Sequence, residues 1–104
     1  MTDGRKDDTG KTRWSLLPLA AVEIVAKVMM YGAQKYGDYN WHRLVNAAER
    51  FDEAAMRHTV AHLNGEYLDP ESGLPHWAHA AASLMMSGWH TMDAERGNDS
   101  RAQD

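Results

Sequence analysis

The 104 residues, 43% apolar and 25% charged, have the proportions of one soluble globular domain, long enough for a single core and too short for two. A formal net charge of -4 excludes the usual binder of DNA backbone, which carries a basic excess, and the absence of cysteine excludes a disulfide scaffold and a thiolate zinc site. No apolar run nears the roughly 20 residues that span a bilayer, and the first residues lack the apolar core of a signal peptide, so the expectation is a cytoplasmic protein with neither a membrane nor a DNA partner.

Residues 1–12 are polar and glycine-bearing and read as a flexible tail. Lys11 and Arg13 lead into Trp14, a grouping that suits either a solvated basic tail or a strap over an anionic ligand. A first helix is predicted over about 16–36, with Pro18 in its first turn and Ser15 as its cap. Leu19, Val22, Ile24, Val25, Val28, Met29 and Met30 cover most of its circumference. A helix apolar nearly all round has to be buried on several sides. One chain with about three helices can hardly do that alone, so the bundle is expected to be completed by homo-oligomerisation, as a dimer or tetramer. Glu23 and Lys27 stand at ion-pair spacing; the alternative is that Glu23 faces a site.

Gly37 is a natural helix stop. The stretch around it gathers Tyr36, Tyr39, Asn40 and Trp41, side chains able to stack on and hydrogen-bond a base or to plug the end of a bundle. A second helix is predicted over about 46–64, capped by Asn46 and stopped by Gly65. His58 and His62 lie one turn apart on its apolar side, a spacing at which two imidazoles can reach one metal. Glu49, Arg50, Glu53 and Arg57 read as its outward, charged side.

Residues 65–79 form a turn-rich connector punctuated by Gly65, Pro70 and Gly73. It carries Glu66, Asp69 and Glu71 and runs into His76 and His79, a concentration of carboxylates and imidazoles typical of divalent-cation sites. Pro75 opens a third helix, predicted over about 75–92. Its His76, His79, Ser83, Ser87 and His90 make one polar stripe between apolar flanks, and such a stripe needs partners, either neighbouring helices or a ligand. Residues 93–104 read as a second tail. The organisation expected is therefore an all-α domain over 13–92 between two tails. With no Walker loop, no nucleophile elbow and no thiol, metal-assisted hydrolysis is the reaction class left for an enzyme.

Three ordered blocks make the pattern more specific. They are Gly10-Lys11-x-Arg13-Trp14-x-Leu16-Leu17-Pro18, then Tyr31-Gly32-Ala33-x-Lys35-Tyr36-Gly37-x-x-Asn40-Trp41, then Arg57-His58 with Gly65-Glu66-x-x-Asp69-x-Glu71-Ser72-Gly73-Leu74-Pro75-His76-x-x-His79-Ala80. Together, over about residues 8–90, they resemble the phage family of dATP/dGTP diphosphohydrolase N-terminal domains, itself similar to the MazG-like all-α nucleoside triphosphate pyrophosphohydrolases. The resemblance implies a phage protein in the host cytoplasm that takes purine deoxynucleoside triphosphates with Mg2+ or Mn2+ and releases the monophosphate and pyrophosphate. Under it, Glu66, Asp69, Glu71, His58, His76 and His79 are the metal candidates, and Asp69, Glu71 and His79 the catalytic ones. Lys11, Arg13, Lys35 and Arg57 would take phosphate charge, and Tyr36, Asn40 and Trp41 the base. The sequence departs from the MazG-like pattern: Glu-Glu-x-x-Glu is missing, the first helix has one carboxylate, Glu23, and histidines stand on the third helix where acids would be. That keeps open a second reading, a protein that sequesters a nucleotide without cleaving it.

Overall fold

The computed structural model describes residues 4–101, and three α-helices account for most of them: α1 Leu19–Tyr36, α2 Ala47–Leu63 and α3 His76–Arg101. The expected tails, 1–12 and 93–104, lie partly outside the described residues. No strand occurs among those described, so the all-α reading holds, and no described helix is long and apolar enough to cross a membrane.

Helix limits follow local chemistry. Leu17 is extended ahead of Pro18, as a residue before proline tends to be. Pro18 is therefore the cap of α1 and not part of its first turn, and the predicted start at 16 moves to Leu19; a single 3-10 turn, Trp14–Leu16, precedes it. At the other end Gly37 (φ 96°, ψ 152°) turns the chain away while its N–H closes on the Ala33 carbonyl at 2.7 Å. Asn46 begins α2 from a left-handed conformation (φ 54°), without a side-chain cap. Beyond Leu63, Gly65 N–H donates to His62 and Glu66 N–H to Ala61, the paired bonds of a Schellman stop, with Gly65 at the positive φ it requires. The third helix does not end near Met92 but continues to Arg101.

Helix α3 is the centre, packed along α2 and against α1. Ala78 and Ala82 are fully buried, and Val25 and Val28 of α1 close over them, with Ile24, Met29, Leu74, Trp77 and Met86 around the edge. Ala47 and Ala55 are the buried residues of α2. The core is thus made of small residues, which let helix backbones approach closely but bury little apolar area each. Of the nearly all-apolar surface of α1, only Val25 and Val28 are buried. The connector between α2 and α3 doubles back on itself: Leu68 bridges Pro75, Asp69 N–H donates to Leu74, and His76 N–H to Tyr67. This fold-back brings Asp69, Glu71 and Ser72 over the first turn of α3.

Candidate functional site

The doubled-back connector, the last turn of α1 and one side of α2 and α3 enclose a cleft of about 690 Å³. Tyr36, Tyr39, Asn40 and Trp41 line one part of it, and His58, Asp69, Glu71, His79 and Ser83 another, with Lys35 and Arg50 also in its wall. Aromatic side chains and acid–base groups therefore share one cavity, although they come from separate stretches of the chain.

His58 and His79 in its wall belong to an imidazole cluster whose third member, the buried His76, does not line the cleft. Nδ1 of His58 and Nδ1 of His76 are 2.8 Å apart, and the His58 ring stacks on that of His79 with centroids 4.5 Å apart. Burial lowers the pKa of His58 and of His79, and for His58 the neighbouring imidazoles add to it. Both rings are therefore neutral near pH 7, which leaves a nitrogen lone pair on each for a proton or a cation. Asp69 is half-buried. Burial works to raise its carboxyl, but the hydrogen bonds from Ser72 and the nearby imidazoles outweigh burial and hold it below the usual range. Ser72 does two things here: its N–H donates to Asp69 Oδ2 at 2.8 Å, and its hydroxyl lies 2.6 Å from His79 Nε2.

Glu71 is bound to the Lys35 ammonium and to the Tyr31 hydroxyl, and the Lys35 contact chiefly lowers its pKa. The same contact raises that of Lys35, so both stay charged over the ordinary pH range. The Lys35 ammonium also sits 5.2 Å from the centre of the Tyr36 ring. Glu66 is outside the cleft, 3.3 Å from Nε2 of His76. His58, Asp69 and His76 bring one ligand atom each within 4.8 Å of one another, a possible metal-binding triad.

The remaining sequence candidates are elsewhere. Lys11 is exposed beside Asp8, at 4.0 Å; Arg13 is exposed ahead of the 3-10 turn, and Arg57 and Glu23 are exposed on their helices. None of the four lines the cleft. His62 is exposed and does not join His58, whose ring partners come from α3. Sequence reasoning passed over Arg50, Tyr31 and Ser72. Tyr31 stands one turn before Lys35, and Ser72 three residues after Asp69, a common turn spacing; these were the available signals. Arg50 had none, since it looks like any other charge on an outward helix side. Farther along α3, His90 Nε2 donates to the Trp41 carbonyl at 2.8 Å and Trp89 stacks on His42, so Trp41 both lines the cleft and ties the loop before α2 to α3.

Comparison with known proteins agrees with the blocks noted above. The family model of the dATP/dGTP diphosphohydrolase N-terminal domain matches residues 1–101. A protein of Salmonella phage PMBT28 named dATP/dGTP diphosphohydrolase is 39% identical over 98 residues, which is 94% of this chain and 33% of that protein. The chain thus spans about a third of the relative's length. No solved structure matches it.

Proposed function

This chain belongs to the family of dATP/dGTP diphosphohydrolase N-terminal domains, and from that premise we propose that its cleft binds a purine deoxynucleoside triphosphate and hydrolyses it to the monophosphate and pyrophosphate, with a divalent cation and as a homo-oligomer. One observation carries this: a single cavity holds the aromatic residues Tyr36, Tyr39 and Trp41, the cations Lys35 and Arg50, and the acid–base groups Asp69 and His79. The aromatic wall would take the base by stacking. Lys35 and Arg50 would neutralise the triphosphate. His79, neutral near pH 7 and oriented by Ser72, is the base that takes a proton from water as the oxygen attacks the α-phosphorus. The bond from that phosphorus to the bridging oxygen breaks, and pyrophosphate leaves. A bound cation would supply charge neutralisation on the phosphates. In the relative, the name dATP/dGTP diphosphohydrolase is the support for substrate and reaction class.

The test is direct. Each deoxynucleoside triphosphate is incubated with the purified chain and Mn2+, and products are separated by anion exchange. Release of dAMP and dGMP with pyrophosphate, and intact pyrimidine nucleotides, is the expected result.

A second reading, binding without cleavage, is favoured by one fact: Glu71 is already occupied by Lys35 and Tyr31. Tight calorimetric binding of dGTP in excess chelator, with no turnover in Mn2+, would select it.

A further inference from the structure

We propose that His58, His76 and Asp69 form a site for a first-row transition dication of the Zn2+ and Mn2+ class, one that discriminates against Mg2+. The three ligand atoms lie within 4.8 Å of one another and come from three separate segments, α2, the connector and the start of α3. Two imidazoles and a carboxylate are the donor set of transition-metal sites. Mg2+ prefers a near-octahedral shell of oxygens, and this triad offers it one carboxylate and two imidazole nitrogens. Glu71 is engaged by Lys35 and Tyr31, and Glu66 lies behind His76, against its other nitrogen. The triad therefore suits a softer cation better than the Mg2+ implied by the family resemblance.

The surroundings of His76 are those of a metal ligand. The residue is only 5% exposed, and its buried Nε2 has no hydrogen-bond partner among the described residues. A histidine that gives Nδ1 to a cation carries its hydrogen on Nε2, and such N–H groups are almost always aimed at a carboxylate. Oε1 of Glu66 stands 3.3 Å from that atom, within reach of a small adjustment. With no cation, His58 and His76 have only each other across 2.8 Å; with one, both Nδ1 atoms become acceptors at once. Asp69 is held in place by the Ser72 amide. Glu66 is thus a positioning residue for His76 and not a ligand.

The inference concerns the cation alone, so it is tested without nucleotide and can fail independently of the proposed reaction. The full chain, stripped with chelator, is titrated by calorimetry with Zn2+, Mn2+ and Mg2+. One Zn2+ per chain is expected, bound at least about a hundredfold more tightly than Mg2+, and Co2+ should give the visible absorption of a nitrogen-ligated site. His58→Ala should abolish the tight binding. Because that change also touches packing, Glu66→Gln, on an exposed side chain, is the second variant. It should weaken Zn2+ by about 10–100-fold with an unchanged circular dichroism spectrum, while His62→Ala, on an exposed histidine outside the cluster, should change nothing. Equal affinities for Zn2+ and Mg2+, or a Zn2+ affinity untouched by both His58→Ala and Glu66→Gln, overturns the site. Nucleotide turnover in Mg2+ with no Zn2+ site would remove this inference and keep the reaction; a Zn2+ site without turnover would do the reverse.

Discussion

Lys35 ties the last turn of α1 to the connector, because its ammonium binds Glu71 while resting over the Tyr36 ring. The pair is largely exposed, so it adds little to stability; its effect is to place one positive charge in the cleft wall. Lys35→Met should therefore weaken triphosphate binding by about tenfold or more and leave the melting temperature nearly unchanged, two readouts that calorimetry and thermal unfolding separate. Glycines give a second pair of expectations with opposite signs. Gly37 sits at φ 96° and ψ 152°, backbone that only glycine adopts at ease, so Gly37→Ala should cost about 1–3 kcal/mol. Gly88 lies inside α3 with open space where a Cβ would go, so Gly88→Ala should stabilise by about 0.5–1 kcal/mol; denaturant titration of the two variants decides both. The neutral imidazoles set a pH dependence. Burial lowers the pKa of His58 and His79 in the folded chain, whereas unfolded histidines titrate near 6.5. Below that pH the unfolded state takes up protons the native state does not, so stability is present above it and is lost as pH falls toward the folded values. In chelator, the melting temperature should hold from pH 8 to 7 and drop from 6.5 downward; a flat profile through pH 5.5 would contradict it.

Helix α3 has its pattern written in its residues and its partners hidden. The stripe His76, His79, Ser83, Ser87 and His90, set between apolar flanks, announces polar groups in need of satisfaction, and for Ser87 and His90 the partners come from other elements. Ser87 donates to Asp52 at 2.6 Å and His90 meets the Trp41 carbonyl. That Asp52 and Trp41 are those partners depends on how α2 and the loop before it cross α3, and no local spacing encodes a contact between residues 35 or 49 positions apart. The same holds for the site. The connector announces its chemistry in composition, but His58 joins His76, not His62, because helix docking decides it. Pro18 shows the complementary limit, since its tolerance of a first turn is real, yet the extended Leu17 before it moves the start of α1 to Leu19. Two substitutions test the packing of α3. Ala82 is fully buried against α1, so Ala82→Leu should overfill the contact and cost about 1–3 kcal/mol. Ser87→Ala should cost about 1 kcal/mol for the lost bond to Asp52. Chemical denaturation of the two variants measures both costs.

At the scale of the molecule, the described helices leave much of their apolar surface uncovered. Leu16, Leu19 and Met30 on and before α1, Met56, Val60 and Leu63 on α2, and Leu84, Met85 and Met92 on α3 are exposed. No large side chain among the described residues is fully buried. The radius of gyration is 17.9 Å, against about 13 Å for a compact domain of this length. A core of alanines and two valines is a thin source of stability when each fully buried large side chain contributes about 1.5–3 kcal/mol, and uncovered apolar surface on this scale marks an interface. The expected outcome is an assembly of identical chains, seen by sedimentation equilibrium as a mass at least twice that of one chain, with a melting temperature that rises with protein concentration, because association stabilises the native state by mass action. Placing a charge on the exposed side of α1, as in Leu19→Glu or Met30→Glu, should lower the mass toward one chain and lower the melting temperature with it. The same charge at Lys27, already exposed and polar, should do neither. A monomeric mass at every concentration, with a melting temperature independent of dilution, would mean that a different partner covers this surface.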